Sequence, residues 1–320
     1  MKYIDVFNGD ADGLCALLQL RLEQPRQSEL VTGIKREINL LSRVQAGADC
    51  HVTVLDISFK KNANDVARLL ENGAIIDYFD HHQTGELITH KNLQTNINLA
   101  ADTCTSLIVD QQLKGKYRAW ALTAAFGDNL VDTAMKLGLE SGFSDKQLLS
   151  FKELGIYLNY NGYGASTDDL FFHPATLFEK IQPYSTPFEF LANDAATFET
   201  LASGYQQDMA LAQQAPLIHE TDYVAVIQFP DEMWARRVSG VFGNELANLH
   251  PDRAHAVITE KSDGSYLVSV RAPLNRKYGA DELVSQFPTG GGRKAAAGIN
   301  QLPADMLGPF IDACEAQFSV

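Results

Sequence analysis

Three short apolar segments near the start of the chain each end in carboxylate or imidazole side chains, and this pattern restricts the fold more than any other feature. The segments are residues 2–7, 51–58 and 74–79, and helical stretches follow the first two. Strands that alternate with helices predict right-handed crossovers and a parallel sheet, whose carboxyl ends lie at one edge. The side chains expected to converge there are Asp10, Asp12, Asp56, Asp80, His81 and His82.

This predicted cluster carries enough negative charge to require a cation. The carboxylates of four aspartates on one rim repel one another unless cations lie among them. Carboxylate oxygens and imidazole nitrogens together suit Mn²⁺, Fe²⁺ or Zn²⁺. A His-His pair by itself is equally typical of a solvated loop, but three strands that end in the same way predict a divalent metal site.

The motifs resemble those of the DHH phosphoesterase superfamily and follow the order found in that family. They extend over nearly the whole chain. Those in the first part are Asp10-Ala11-Asp12-Gly13, Asp56, Asp80-His81-His82, Ala101–Leu107 and Ala125–Asn129, which contains Asp128. Near the other end, Gly290–Gly298 resembles the glycine-rich signature of the accessory DHHA1 domain.

The resemblance implies an α/β fold with two domains. A parallel-sheet DHH catalytic domain with a helical extension is expected over residues 1–190, and a linker over residues 191–220. A smaller α/β domain of the DHHA1 type, which binds substrate, is expected over residues 221–320.

The resemblance also implies roles for individual residues. The aspartate at position 56 would bridge two divalent ions, with Mn²⁺ expected and Mg²⁺ as the alternative. His82 would face the substrate, and Asp80 would orient an imidazole. The metal ligands carried over are Asn8, Asp10, Asp12, Asp56, His81 and Asp128.

The chain departs from the family pattern at two places. Many members have a His or Asp where this chain has Asn8, or a His where it has Val6, so one metal position is expected to be weak or empty. Arg293 stands where the glycine signature usually carries a His, and its fixed fork suits a phosphate. The residues expected to bind substrate are Arg271, Gly291, Gly292 and Arg293, with the glycines in a loop that cradles a phosphate.

The net charge of −14 restricts the substrate. Proteins that grip long nucleic acids use many Lys and Arg side chains to neutralise phosphates. The sequence therefore predicts a phosphodiesterase that hydrolyses short phosphate-bearing nucleotides, such as short oligonucleotides or linear dinucleotides. Two alternatives stay open: a polyphosphatase or pyrophosphatase-like hydrolase, and a nucleotide-binding sensor with little catalysis.

The cysteines and the hydropathy predict a cytoplasmic protein. Cys15, Cys50, Cys104 and Cys314 are widely spaced, which favours buried thiols in a reducing compartment over a redox site. No apolar stretch reaches the length of about 20 residues that a membrane span needs, and no targeting segment is expected. The sequence leaves the oligomeric state open, a homodimer included.

Overall fold

A five-stranded parallel sheet, in the order β2-β1-β3-β4-β5, brings the polar strand ends together. The computed structural model describes residues 1–319, and this sheet confirms the predicted α/β fold. Because β1, β3 and β4 are neighbours, the residues that follow them lie side by side. The strands are β1 (Lys2–Phe7), β2 (Glu29–Val31), β3 (Cys50–Leu55), β4 (Ile75–Asp80) and β5 (Leu93–Ile97).

The described residues divide into two compact units, Met1–Ser203 and the residues from Gly204 onward. Besides the sheet, the first unit contains helices and a 3-10 turn, Leu40–Arg43. The helices are α1 (Ala11–Glu23), α2 (Phe59–Glu71), α3 (Thr105–Gln112), α4 (Arg118–Gly127), α5 (Val131–Glu140), α6 (Asp145–Tyr160), α7 (Pro174–Ile181), α8 (Pro187–Asn193) and α9 (Ala195–Ala212).

The apolar core of the first unit explains why the strands read as continuous apolar runs. Val6, Val54 and Tyr78 pack on one face of the sheet with Val66 and Leu69 of α2. Helix α1 is buried along most of its length because α3, α4 and β1 all contact it. Strands covered on both faces are rich in apolar residues, and the buried polar residue Asp5 inside β1 is paired with Arg21 of α1.

The second unit contains a six-stranded mixed sheet in the order β10-β11-β9-β8-β7-β6. Its core includes Val226, Ile258, Val268, Ile299 and Phe310. The strands are β6 (Leu217–Glu220), β7 (Val224–Phe229), β8 (Ala254–Glu260), β9 (Tyr266–Arg271), β10 (Gly290–Gly292) and β11 (Ala296–Leu302). The helices are α10 (Met233–Leu249), α11 (Ala280–Val284) and α12 (Leu307–Phe318).

Two expectations about the chain after residue 190 differ from the structure. Residues 191–220, expected as a linker, contain the end of α8, all of α9 and strand β6, and the division between the units falls within α9. The triplet Gly290–Gly292 is strand β10, which pairs antiparallel with β11, so the prediction that these three glycines form a loop is wrong. A Cβ on Gly290 would lie 1.8 Å from the Val284 carbonyl oxygen, which makes glycine necessary there for close packing.

Two further expectations concerned buried thiols and the lack of a membrane span. All four cysteines are buried and form no disulfide. Within the described residues, none of the helices is both long enough and apolar enough to cross a bilayer.

Candidate metal centre

The aspartates at the carboxyl edge of the parallel sheet are held in place by backbone groups. Asp10 caps α1, because its Oδ1 accepts hydrogen bonds from the backbone N–H groups of Asp12 (3.0 Å) and Gly13 (3.1 Å). Asp56 follows β3 with a φ of 59°, a left-handed conformation that is uncommon for residues other than glycine. Both carboxylates are 2% exposed, so their positions are fixed within the protein interior.

Asp12 connects this edge to the start of helix α3. Its two oxygens accept hydrogen bonds from the backbone N–H groups of Thr105 (2.8 Å) and Ser106 (2.7 Å). The Thr105 hydroxyl donates to Asp56 Oδ1 at 3.1 Å. The N-terminus of α3 thus stabilises two of the buried carboxylates, as a helix dipole does for negative charge.

His81 lies at the centre of the carboxylates. Its Nδ1 is 3.0 Å from the Thr103 carbonyl oxygen, which requires a proton on Nδ1 in the neutral ring and leaves the lone pair on Nε2. Nε2 faces Asp56 Oδ1 at 3.4 Å, Asp12 Oδ2 at 3.8 Å and Asp128 Oδ2 at 4.0 Å. A metal-binding imidazole usually has this kind of second hydrogen bond.

These distances fit a divalent ion. Two donor atoms that are each about 2.0–2.2 Å from one ion are at most about 4.4 Å apart, and the three contacts of His81 Nε2 lie within that limit. The donor set of three carboxylates and one imidazole nitrogen suits Mn²⁺. Asp56, His81 and His82 also offer atoms within 4.8 Å of one another. Asp12 and Asp128 both face His81 Nε2, whereas His82 Nδ1 is in contact with Asp80 Oδ1 at 2.7 Å.

His82 is positioned by Asp80. The His82 Nδ1 is 2.7 Å from Asp80 Oδ1, and the same oxygen accepts from the backbone N–H groups of His81 (2.8 Å) and His82 (3.2 Å). Asp80 Oδ2 accepts from the Phe59 N–H at 3.2 Å. Asp80 is fully buried, whereas 27% of the His82 side chain is exposed, so the imidazole can meet a molecule from solvent.

Burial and crowding change the acidity of the carboxylates. Burial, with the nearby charges of Asp12, Asp10 and Asp128, raises the pKa of Asp56 well above its usual range. Burial also raises the pKa of Asp12, although His81 opposes this change. A cation that binds among these carboxylates, either a proton or a metal ion, stabilises their negative charge.

Lys35 is a residue of this centre that the sequence reasoning missed. Its ammonium contacts Asp10 Oδ2 and lies 3.0 Å from Asn159 Oδ1 and 3.6 Å from Asp128 Oδ1. Burial opposes its charge, but the carboxylates of Asp10 and Asp128 raise the pKa of Lys35 above its usual range. One signal could have revealed it: Lys35 follows β2, which ends at the same edge of the parallel sheet.

Asn8, expected as a ligand, has contacts typical of a turn. Its Oδ1 accepts from the Asp10 N–H at 3.3 Å, and its Nδ2 donates to the Lys35 carbonyl oxygen at 3.2 Å. Val6, at the other position where the family pattern differs, is fully buried in the core. The amide of Asn8 therefore connects the loop of Lys35 to the start of α1.

The residues expected to bind substrate lie in the second unit. Arg271, at the end of β9, donates to Asn244 Oδ1 (2.6 Å) and to the carbonyl oxygens of Gly240 (3.0 Å) and Val270 (3.2 Å), so it anchors α10 to the sheet. Arg293 begins the exposed turn between β10 and β11. Gly291 and Gly292 are exposed as well.

Comparison with known proteins shows likeness in structure alone. No protein-family model matches the chain, and no curated protein matches its sequence. The chain is similar to an exonuclease RecJ bound to manganese, with a TM-score of 0.62 and 15% identity over 98% of this chain and 89% of that one. Its TM-score with RecJ from Thermus thermophilus in complex with Mn²⁺ is 0.61, at 16% identity over 98% of this chain and 52% of that one.

A third similar structure is PggH, a pGpG-specific phosphodiesterase from Vibrio cholerae. Its TM-score is 0.54, at 13% identity over 99% of this chain and all of that one. The chain therefore shares its fold with RecJ and PggH.

Proposed function

We propose that this protein is a metal-dependent phosphodiesterase that hydrolyses short phosphate-bearing nucleotides. The observation that carries the proposal is the buried group of three carboxylate oxygens around His81 Nε2, next to the partly exposed imidazole of His82. With its proton on Nδ1, His81 presents the lone pair of Nε2 to three carboxylates, an arrangement that a bound metal ion would complete. The similarity to RecJ and PggH supports the same class of reaction.

Asp12, Asp56, His81 and Asp128 would hold the divalent ion. That ion supplies two effects when bound: it lowers the pKa of a water molecule and neutralises charge on a phosphoryl group. His81 presents Nε2 because Thr103 fixes its tautomer. Backbone N–H groups of α3 keep Asp12 in place for the same purpose.

His82 would act on the substrate. The contact between its Nδ1 and Asp80 stabilises an imidazolium and directs Nε2 away from Asp80. From there Nε2 can donate a proton to the leaving oxygen of a phosphodiester, which is general acid catalysis. Asp80 is a positioning residue, because it reaches the substrate only through His82.

The charge of the protein supports a short substrate. A net charge of −14 disfavours a long polyanion along the surface. Arg293, on the exposed turn of the second unit, is the cation that we propose to bind a terminal phosphate. Arg271 donates to α10 and the sheet, so we expect it to support this unit and to contribute less to substrate binding.

A screen of substrates and metals tests the proposal. The purified chain is incubated with pGpG, di- to pentanucleotides, a cyclic dinucleotide and tripolyphosphate, each with Mn²⁺, with Mg²⁺ or with a chelator. We expect hydrolysis of the short nucleotides, loss of activity in the chelator and stronger recovery with Mn²⁺, because an imidazole ligand favours the softer ion.

Variants of the centre complete the test. Asp56→Asn should abolish turnover, whereas His51→Gln, which changes a histidine of the same sheet outside the centre, should retain it. Full activity in the chelator would refute the metal-dependent mechanism. Faster turnover of tripolyphosphate than of any nucleotide would refute the proposed substrate class, and binding of dinucleotides without turnover would identify a sensor.

A further inference from the structure

We infer that the ammonium group of Lys35 permanently occupies one of two cation positions in this centre, so that the chain binds a single divalent ion. The inference rests on the proposed metal-dependent function. It specifies that this function uses one divalent ion and that the Lys35 ammonium takes the position of a second.

The oxygens around Lys35 form a cation position of their own. The ammonium is surrounded by Asp10 Oδ2, by Asn159 Oδ1 at 3.0 Å and by Asp128 Oδ1 at 3.6 Å. These oxygens come from the start of α1, the last turn of α6 and the end of α4. Hard divalent ions are bound by the same kind of oxygen donors, collected from separate elements.

Asp128 separates the two positions. Its Oδ1 faces the ammonium at 3.6 Å, whereas its Oδ2 faces His81 Nε2 at 4.0 Å. The two oxygens of one carboxylate thus point to different cations. The position around His81 also has Asp12 and Asp56, and it is the position that keeps a nitrogen ligand for a metal.

Both oxygens of Asp10 are bound by groups of the protein, and the partner of Oδ2 is itself a cation. Its Oδ1 caps α1 through two backbone N–H groups, and its Oδ2 contacts Lys35. A Cβ on Gly162 would lie 3.0 Å from the Cα of Asp10, so the backbone is also confined on that side. The carboxylate that the family resemblance assigned to a metal is engaged by the protein's own cation.

Lys35 is held in place by contacts of its backbone and of its side chain. Its backbone N–H donates to the Gly162 carbonyl oxygen at 2.8 Å, and its own carbonyl accepts from Asn8 Nδ2 at 3.2 Å. The side chain is 22% exposed, and its nitrogen is 5.6 Å from the centre of the Tyr163 ring. A mobile surface lysine would lack these restraints.

The charges of the centre agree with one divalent ion. Four carboxylates, those of Asp10, Asp12, Asp56 and Asp128, carry four negative charges, and Lys35 supplies one positive charge. One divalent ion brings the sum to −1. A second would have to displace the ammonium from its three oxygens or remain next to it against Coulomb repulsion.

The number of bound ions tests the inference without reference to activity. Equilibrium dialysis followed by elemental analysis counts Mn²⁺ per chain, and electron paramagnetic resonance shows whether two bound ions are exchange-coupled. We expect one uncoupled Mn²⁺ in the wild type, two in Lys35→Gln and one in Lys35→Arg. Lys60→Gln, which removes an exposed lysine of α2, is the matched control and should bind one.

The possible outcomes separate this inference from the proposed function. Two coupled Mn²⁺ ions in the wild type would overturn the role of Lys35 and leave the metal-dependent function intact. A single ion in folded Lys35→Gln would also overturn it. No bound Mn²⁺ in the wild type would overturn the metal-dependent function and the inference with it. Because the wild-type count alone can refute the inference, the test does not depend on the folding of Lys35→Gln.

Discussion

The buried carboxylate of Asp80 allows a quantitative prediction about catalysis. Asp80→Asn keeps the shape of the side chain but removes its charge and one acceptor. The bond to His82 Nδ1, at 2.7 Å, then loses its ionic character, and the imidazolium that His82 would form loses its counter-charge. We therefore expect the variant to bind substrate normally and to turn it over slowly.

The magnitude follows from the contacts of Asp80. A hydrogen bond to a charged group contributes about 1.5–3 kcal/mol, which corresponds to a kcat/KM about 10- to 150-fold lower. The loss should appear in kcat, because the bond strengthens as His82 becomes charged in the transition state. An amide nitrogen cannot accept the Phe59 N–H that Asp80 Oδ2 accepts at 3.2 Å. The free energy of unfolding should therefore fall by about 1–3 kcal/mol.

The assay uses an artificial phosphodiester with Mn²⁺, at a temperature at which thermal unfolding data show every variant to be folded. Asp77→Asn is the matched control, because Asp77 is on the same strand as Asp80 but outside the centre. This substitution changes the contact between Asp77 Oδ2 and His51 Nε2 (2.8 Å). Asp80→Asn combined with His82→Ala should be no slower than His82→Ala alone. A kcat within twofold of the wild type for Asp80→Asn, or an equal loss in Asp77→Asn, would refute the reasoning.

Two further predictions concern the second unit. Arg293→Ala should lower kcat/KM about 10- to 150-fold on phosphorylated dinucleotides and much less on an artificial diester, whereas Lys294→Ala, on the same exposed turn, should have little effect; equal losses on both substrates would contradict a phosphate clamp. Burial, Arg253 and His250 lower the pKa of His255 to about 4, so between about 6.5 and this value the unfolded chain binds a proton that the folded chain does not, and the free energy of unfolding falls as the pH is lowered. Urea denaturation measures how much the free energy of unfolding decreases from pH 7.5 to pH 5.0. This decrease should be about 1–2 kcal/mol larger for the wild type than for His255→Gln. Equal decreases would show that His255 does not titrate in this way.

The sequence predicted the acidic edge of the sheet well, because polar residues after buried apolar strands are visible as a local pattern. Asp10, Asp56 and Asp80 could be placed at one edge from strand order alone. Lys35 could not be placed, because its position depends on a loop brought to Asp10 by contacts with Gly162 and Asn8. No local pattern encodes contacts between residues so far apart in the chain.

The glycine-rich segment shows a second reason for failure. Consecutive glycines are compatible with a phosphate-binding loop and with a tightly packed strand, and the choice depends on what lies next to them. Gly290 packs against the carbonyl group of Val284, where a Cβ has no room. That neighbour is set by the packing of α11 against β10, which the sequence of the triplet does not reveal.

The contacts of Lys35 also determine when during synthesis the centre can be completed. Asp10 precedes Lys35 by 25 positions, whereas Asn159 follows it by 124. A ribosome that adds about 5–20 residues per second needs about 6–25 seconds to pass from Lys35 to Asn159. Through that interval the emerging chain has the lysine and its first aspartate but not the last turn of α6. The ammonium position is thus finished late, after most of the first unit has left the ribosome.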